Sequence, residues 1–75
     1  MRGYLRALRT ERGYTQQYVA DYIGITTQYY AMIEGGQRQK NMELSLASKL
    51  ASLYGVSINY MHEREGEYEA NSKNE

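Results

Sequence analysis

Apolar residues recur at helical spacing from the start of the chain. Leu5 and Leu8, flanked by Tyr4 and Ala7, form a stripe over residues 2–12, and Gly13 follows as a helix stop. Thr15 stands in the N-cap position before "QQYVADYI", where Val19, Ala20 and Ile23 share one face and Gly24 ends the pattern. Thr26 is the next cap and predicts a third helix running to about Glu34. Tyr30 and Ile33 fall on its core side, whereas Thr27, Gln28, Ala31 and Met32 fall on the other side with no charge among them. "GGQRQKN" is too polar and glycine-rich to continue a helix and predicts a loop. A fourth helix follows from about Met42 to Tyr54, with Leu46, Leu50 and Leu53 on its apolar side and Gly55 closing it. Ser57 caps a short last helix through Asn59, Tyr60 and Met61. No segment alternates with strand period, so the pattern predicts an all-α fold of five short helices.

The end of the chain breaks with this pattern. "EREGEYEANSKNE" has one aromatic, no aliphatic residue larger than alanine and dense charge, too little to offset its ordering entropy by burial. Residues 1–65 therefore read as the domain and residues 66–75 as a flexible acidic tail. A chain of 75 residues allows one domain, which buries only about 60 percent of the surface of its unfolded chain. Cysteine is absent, excluding disulfides and thiolate metal sites, and no apolar run approaches a membrane span or a signal peptide. The expectation is a cytoplasmic protein with no membrane partner.

The formal net charge is zero, yet it is unevenly spread. Residues 1–62 carry seven bases against four acids, a net of +3, while residues 63–75 carry a net of −3. A modestly basic body is compatible with a polyanionic partner. An enzyme is not indicated: there is one histidine, no metal-ligand spacing and no phosphate-cradling loop, since "GGQRQK" lacks the spacing and the Ser or Thr of a P-loop. No cofactor is expected, and the lone His62 reads as solvated.

Two of the predicted helices are joined by only "GIT", which forces the sharp angle of a helix-turn-helix unit. Indeed "LRALRTERGYTQQYVADYIGITTQYYAMIEGG" resembles the Cro/C1-type, or xenobiotic-response-element, helix-turn-helix domain of phage repressors. The likeness rests on Leu-Arg at residues 8–9, Gly-x-Thr-Gln, Val-Ala-x-x-Ile-Gly-Ile, a following Thr, and Ile-Glu-x-Gly, and continues through "LASKLASLYGVSINYM". It implies a five-helix lambda-repressor-like fold and double-stranded DNA as partner. The third helix would lie in the major groove, with Thr27, Gln28 and Met32 facing bases. Gln28 suits bidentate pairing with adenine, and Met32 suits a thymine methyl. Gln16 and Thr26, at helix N-termini, and Tyr29, Arg38 and Lys40 would meet phosphates. Arg9 and Glu34 occupy positions that the family joins in a partly buried salt bridge. The last helix normally pairs two copies, which gives Ile58 and Tyr60 as homodimer contacts and an inverted-repeat operator. Repression by occupying a promoter is the function this implies.

The chain departs from the resemblance in its aromatics: nine tyrosines and no Phe or Trp. Tyr4, Tyr14, Tyr30 and Tyr54 read as packing residues with the hydroxyl at water. Tyr18 and Tyr22 stand four apart where relatives carry charges; they either cover their own helix or form a surface for a protein partner. The latter supports a rival reading, an antitoxin-like interaction module on the same fold. Gly35-Gly36 and the absence of proline predict a loose loop after the third helix.

Overall fold

The computed structural model describes the backbone of residues 1–73 and the side chains of residues 1–70. Five helices follow in order: α1 (Gly3–Glu11), α2 (Gln16–Ile23), α3 (Thr27–Gly35), α4 (Leu44–Tyr54) and α5 (Ile58–Lys73). The punctuation is local. Thr15 Oγ1 accepts from the Tyr18 N–H at 3.0 Å, and Thr26 Oγ1 accepts from the Tyr29 N–H at 3.1 Å, each satisfying an orphan donor of the helix it opens. Ser57 does the same for α5 through the Tyr60 N–H at 3.0 Å. Between α2 and α3, Gly24 adopts φ +82°, a left-handed conformation that L side chains rarely take. This lets the Gly24 and Ile25 N–H groups both donate to the Ala20 carbonyl, at 2.9 and 3.0 Å, and turns the chain within three residues.

The apolar stripes converge on one core. Leu5, Val19, Ala20, Tyr30, Ile33 and Leu50 are fully buried, with Tyr54 and Met61 nearly so. Two phenols meet inside it instead of reaching water: the Tyr30 and Tyr54 hydroxyls lie 2.7 Å apart and share a hydrogen bond. Burial pushes both phenols up, Tyr54 to about 12, because a phenolate there would be stripped of water. Tyr14 stacks between Tyr54 and Tyr18, with ring centroids 6.4 and 4.7 Å away. No described helix is long and apolar enough to cross a membrane.

Three expectations about the elements are corrected. Helix α4 starts at Leu44 rather than near Met42: Glu43 is the N-cap, with extended backbone, and its N–H donates to the Gln39 side chain at 3.1 Å. The last helix is not short. It continues to Lys73, so residues 66–73 are helical where a flexible tail was expected. Side chains rather than hydrophobic burial hold its course: Glu65 accepts from Arg2 and from the Tyr4 hydroxyl, and the Tyr68 ring lies 4.8 Å beneath the Arg2 guanidinium. The rest of the expected tail, Asn74 and Glu75 with the side chains of residues 71–73, lies outside the described residues.

The third correction concerns the loop between α3 and α4, which is tied down. Arg2, one of the seven bases of the body, is fully buried and donates to the carbonyls of Ile33 (2.6 Å), Arg38 (3.0 Å) and Gln39. Gly36 fits this crowded place for two reasons. Its φ is +87°, and a Cβ there would lie 2.6 Å from the Tyr68 hydroxyl.

Candidate nucleic-acid interface

Helix α3 presents the uncharged face read from the sequence. Thr27 and Gln28 are exposed, and Ala31 and Met32 half-exposed, while Tyr30, Ile33 and Glu34 are buried behind them. The capped N-terminus places Thr27 and Gln28 in the first turn, so their side chains project ahead of the helix body. Tyr29 is half-buried at the edge of this face, and its hydroxyl accepts from the Gln39 amide at 2.8 Å, leaving its own proton free to donate.

The flanking groups come from two other elements. Gln16, the first residue of α2, shares with Arg6, Ala31 and Gly35 the wall of an open cleft of about 510 Å³. Thr26 uses its oxygen as an acceptor for the cap and keeps a hydroxyl proton to give. On the opposite side of α3, Arg38 and Lys40 are exposed in the loop. Three of the seven bases of the body spend their guanidinium groups on partners within the fold. Arg2 is buried, Arg9 binds Glu34, and Arg12 donates to the carbonyls of Tyr54 (2.8 Å) and Leu8 (2.9 Å). Arg6, Arg38, Lys40 and Lys49 are the bases left at the surface.

Arg9 and Glu34 lie in contact beneath the interface. The guanidinium takes both carboxylate oxygens, Nε to Oε2 at 2.9 Å and Nη2 to Oε1 at 3.1 Å, and its third nitrogen donates to the Tyr14 carbonyl at 3.0 Å. The side chains are 14 and 4 percent exposed, so the pair is mostly withdrawn from water. It joins α1 to the last turn of α3.

The remaining predicted residues fall elsewhere. Ile58 is exposed at the start of α5, whereas Tyr60 is half-buried against the core with the Arg64 guanidinium 5.2 Å over its ring. Leu44, not singled out in the sequence, is the most exposed large apolar residue at 74 percent and shares a groove of about 310 Å³ with Ile58, Met61 and His62. Tyr18 and Tyr22 are both half-exposed, at 50 and 53 percent, and Tyr18 stacks on Tyr14. Sequence reasoning missed Arg2 and Gln39, whose partners lie far along the chain or across a loop with no periodic signal.

Residues 5–61 match the family model described as helix-turn-helix. Over 57 residues the chain is 39 percent identical to the SPbeta prophage-derived uncharacterized HTH-type transcriptional regulator YonR of Bacillus subtilis (strain 168), an alignment covering 76 percent of this chain and 51 percent of that protein. The chain thus spans about half the length of that relative. No solved structure matches the chain significantly.

Proposed function

The chain belongs to the helix-turn-helix family, and on that premise we propose that it is a sequence-specific DNA-binding transcription regulator that represses by occupying an inverted-repeat operator as a homodimer. One observation carries this reading: the uncharged face of α3, led by Thr27 and Gln28, is flanked by the N-terminus of α2 on one side and the Arg38–Lys40 loop on the other. With α3 in the major groove, Thr27, Gln28 and Met32 read base edges. Gln16, Thr26, Tyr29, Arg38 and Lys40 bind phosphates on either side and set register without reading sequence. Arg9 and Glu34 support the helix from behind. The exposed apolar residues Leu44 and Ile58, together with the half-buried Tyr60, supply the contact between copies. Such a protein acts in the cytoplasm and uses no cofactor.

The test is selection of bound duplexes from a randomised pool at two salt concentrations. Enrichment of an inverted repeat with half-sites about ten base pairs apart is the expected result. Weak binding that salt abolishes, with no sequence enriched, leaves only non-specific phosphate attraction and refutes the operator reading. The half-exposed Tyr18 and Tyr22 favour a second reading, a protein partner on the α2 surface in the manner of an antitoxin. Tyr18→Ala with Tyr22→Ala leaves DNA affinity intact if those rings serve a partner.

A further inference from the structure

Among the described residues Arg2 is one of the largest fully buried side chains, and its partners are not those of a residue that simply fills the core. All three guanidinium nitrogens are used. Nε donates to Glu65 Oε1 at 2.9 Å, and Nη2 donates to Glu65 Oε2 at 2.8 Å and to the Gln39 carbonyl. Nη1 divides between the Ile33 carbonyl at the end of α3 and the Arg38 carbonyl in the loop. The backbone N–H of the same residue donates to the Glu34 carbonyl at 2.8 Å. Burying a guanidinium costs hydration that an apolar side chain would not forfeit, so the residue type is explained by what its fork can hold in place.

What it holds is a loop with an unusual backbone. Gln39 adopts φ +56°, a conformation non-glycine residues keep only when their surroundings enforce it. Its carbonyl is gripped by Arg2, while its side-chain amide donates to the Tyr29 hydroxyl at 2.8 Å and its side-chain oxygen accepts from the Glu43 N–H at 3.1 Å. Because Gln39 is drawn inward, its neighbours Arg38 and Lys40 are left exposed on either side of it.

We propose that Arg2, anchored by Glu65, is the positioning residue of the phosphate-binding loop: it fixes the backbone of Arg38 and Gln39 and thereby aims Arg38 and Lys40 at DNA. The inference rests on the reading that this loop meets phosphates. Lysine cannot replace it, because a single nitrogen cannot span the Ile33, Arg38 and Gln39 carbonyls and the Glu65 carboxylate together. Helix α5 therefore supports the DNA-facing surface through Glu65, although no residue of that helix need touch DNA.

The experiment is a double-mutant cycle of Arg2→Lys with Arg38→Ala. Affinity for a mixed-sequence DNA duplex is measured across a salt series, with foldedness checked by near-ultraviolet circular dichroism. In the unaltered background Arg38→Ala lowers the salt slope by about one. Arg2→Lys lowers the slope by up to about two on its own, because Arg38 and Lys40 both lose their aim, and Arg38→Ala then has no further effect. A merely structural role for Arg2 leaves the effect of Arg38→Ala undiminished, and that result overturns the proposal. If Arg38→Ala changes nothing in the unaltered protein, the phosphate-contact reading is the one that fails, and the inference falls with it. Should Arg2→Lys not fold, the near-isosteric Glu65→Gln, which keeps one acceptor and loses the charge, enters the same cycle. Its expected result is a partial loss of the Arg38 effect, and full retention overturns the proposal.

Discussion

Replacing Arg9 with methionine keeps most of the side chain's length while removing all three of its polar contacts. The Glu34 carboxylate, only 4 percent exposed, is then left without the bidentate partner that now lies 2.9 and 3.1 Å away. Stranding one member of a buried pair costs about 3 to 5 kcal/mol. The Tyr14 carbonyl loses its donor too. A domain of this size has roughly 4 to 11 kcal/mol of stability in all, so Arg9→Met removes a large fraction of it. With a urea dependence of about 1 kcal/mol per molar for a small chain, the unfolding midpoint falls by roughly 3 molar or more at unchanged slope. Arg9→Met with Glu34→Met removes both charges and recovers most of the loss. Urea melts of the single and double variants measure this directly. A single-variant cost below about 1 kcal/mol, or a double variant no more stable than the single, refutes the reasoning. DNA affinity should be corrected for the folded fraction; per folded molecule it stays close to that of the unaltered protein.

Other outcomes follow from the same geometry. Gln28→Ala should cost about 1 to 3 kcal/mol at one base step and relax preference there, read by repeating the duplex selection; equal weakening of every sequence would remove its base-reading role. Stability should fall as pH rises above about 10, because the Tyr30 and Tyr54 phenols titrate higher in the folded chain than in the unfolded one and their neutral forms are favoured by folding. That contribution is fully present below the unfolded value and is lost on the way to about 12 for Tyr54; urea melts at pH 9 and pH 11 check the sign, and equal stability at both would contradict it. Leu44→Glu with Ile58→Glu should shift sedimentation toward monomer and weaken binding to an inverted repeat more than to a half-site, whereas an unchanged mass would exclude this patch as the dimer contact.

The helices were legible because their ends are written locally. Thr15, Thr26 and Ser57 cap within three residues, and the left-handed glycines at 24, 36 and 55 stop each turn where the stripe stops. The uncharged face of α3 was legible for a related reason: helical period alone separates Thr27 and Gln28 from Tyr30 and Ile33. Arg2 was not, because its partners stand 31 to 63 residues away and an arginine ahead of a short helix reads as a solvated charge. The length of α5 was missed through the same gap. Its second half has no aliphatic residue larger than Ala70, so burial arguments predict no order there, whereas the contacts that guide it are an ion pair at Glu65 and a ring at Tyr68. Leu44 opens α4 outside the stripe of Leu46 and Leu50 and stands at water.

The clasp between Arg2 and Glu65 also bears on the order in which the molecule assembles. It joins residues separated by 63 positions, whereas the helix-turn-helix contacts close over short stretches of chain. Bringing such distant groups together forfeits the most chain entropy, so the clasp is expected to form late, after the local helices have docked. Weakening it should speed unfolding and leave the refolding limb of a chevron almost unmoved. The loop between α3 and α4, whose Arg38 and Gln39 carbonyls Arg2 holds, should then take its final shape in the last step.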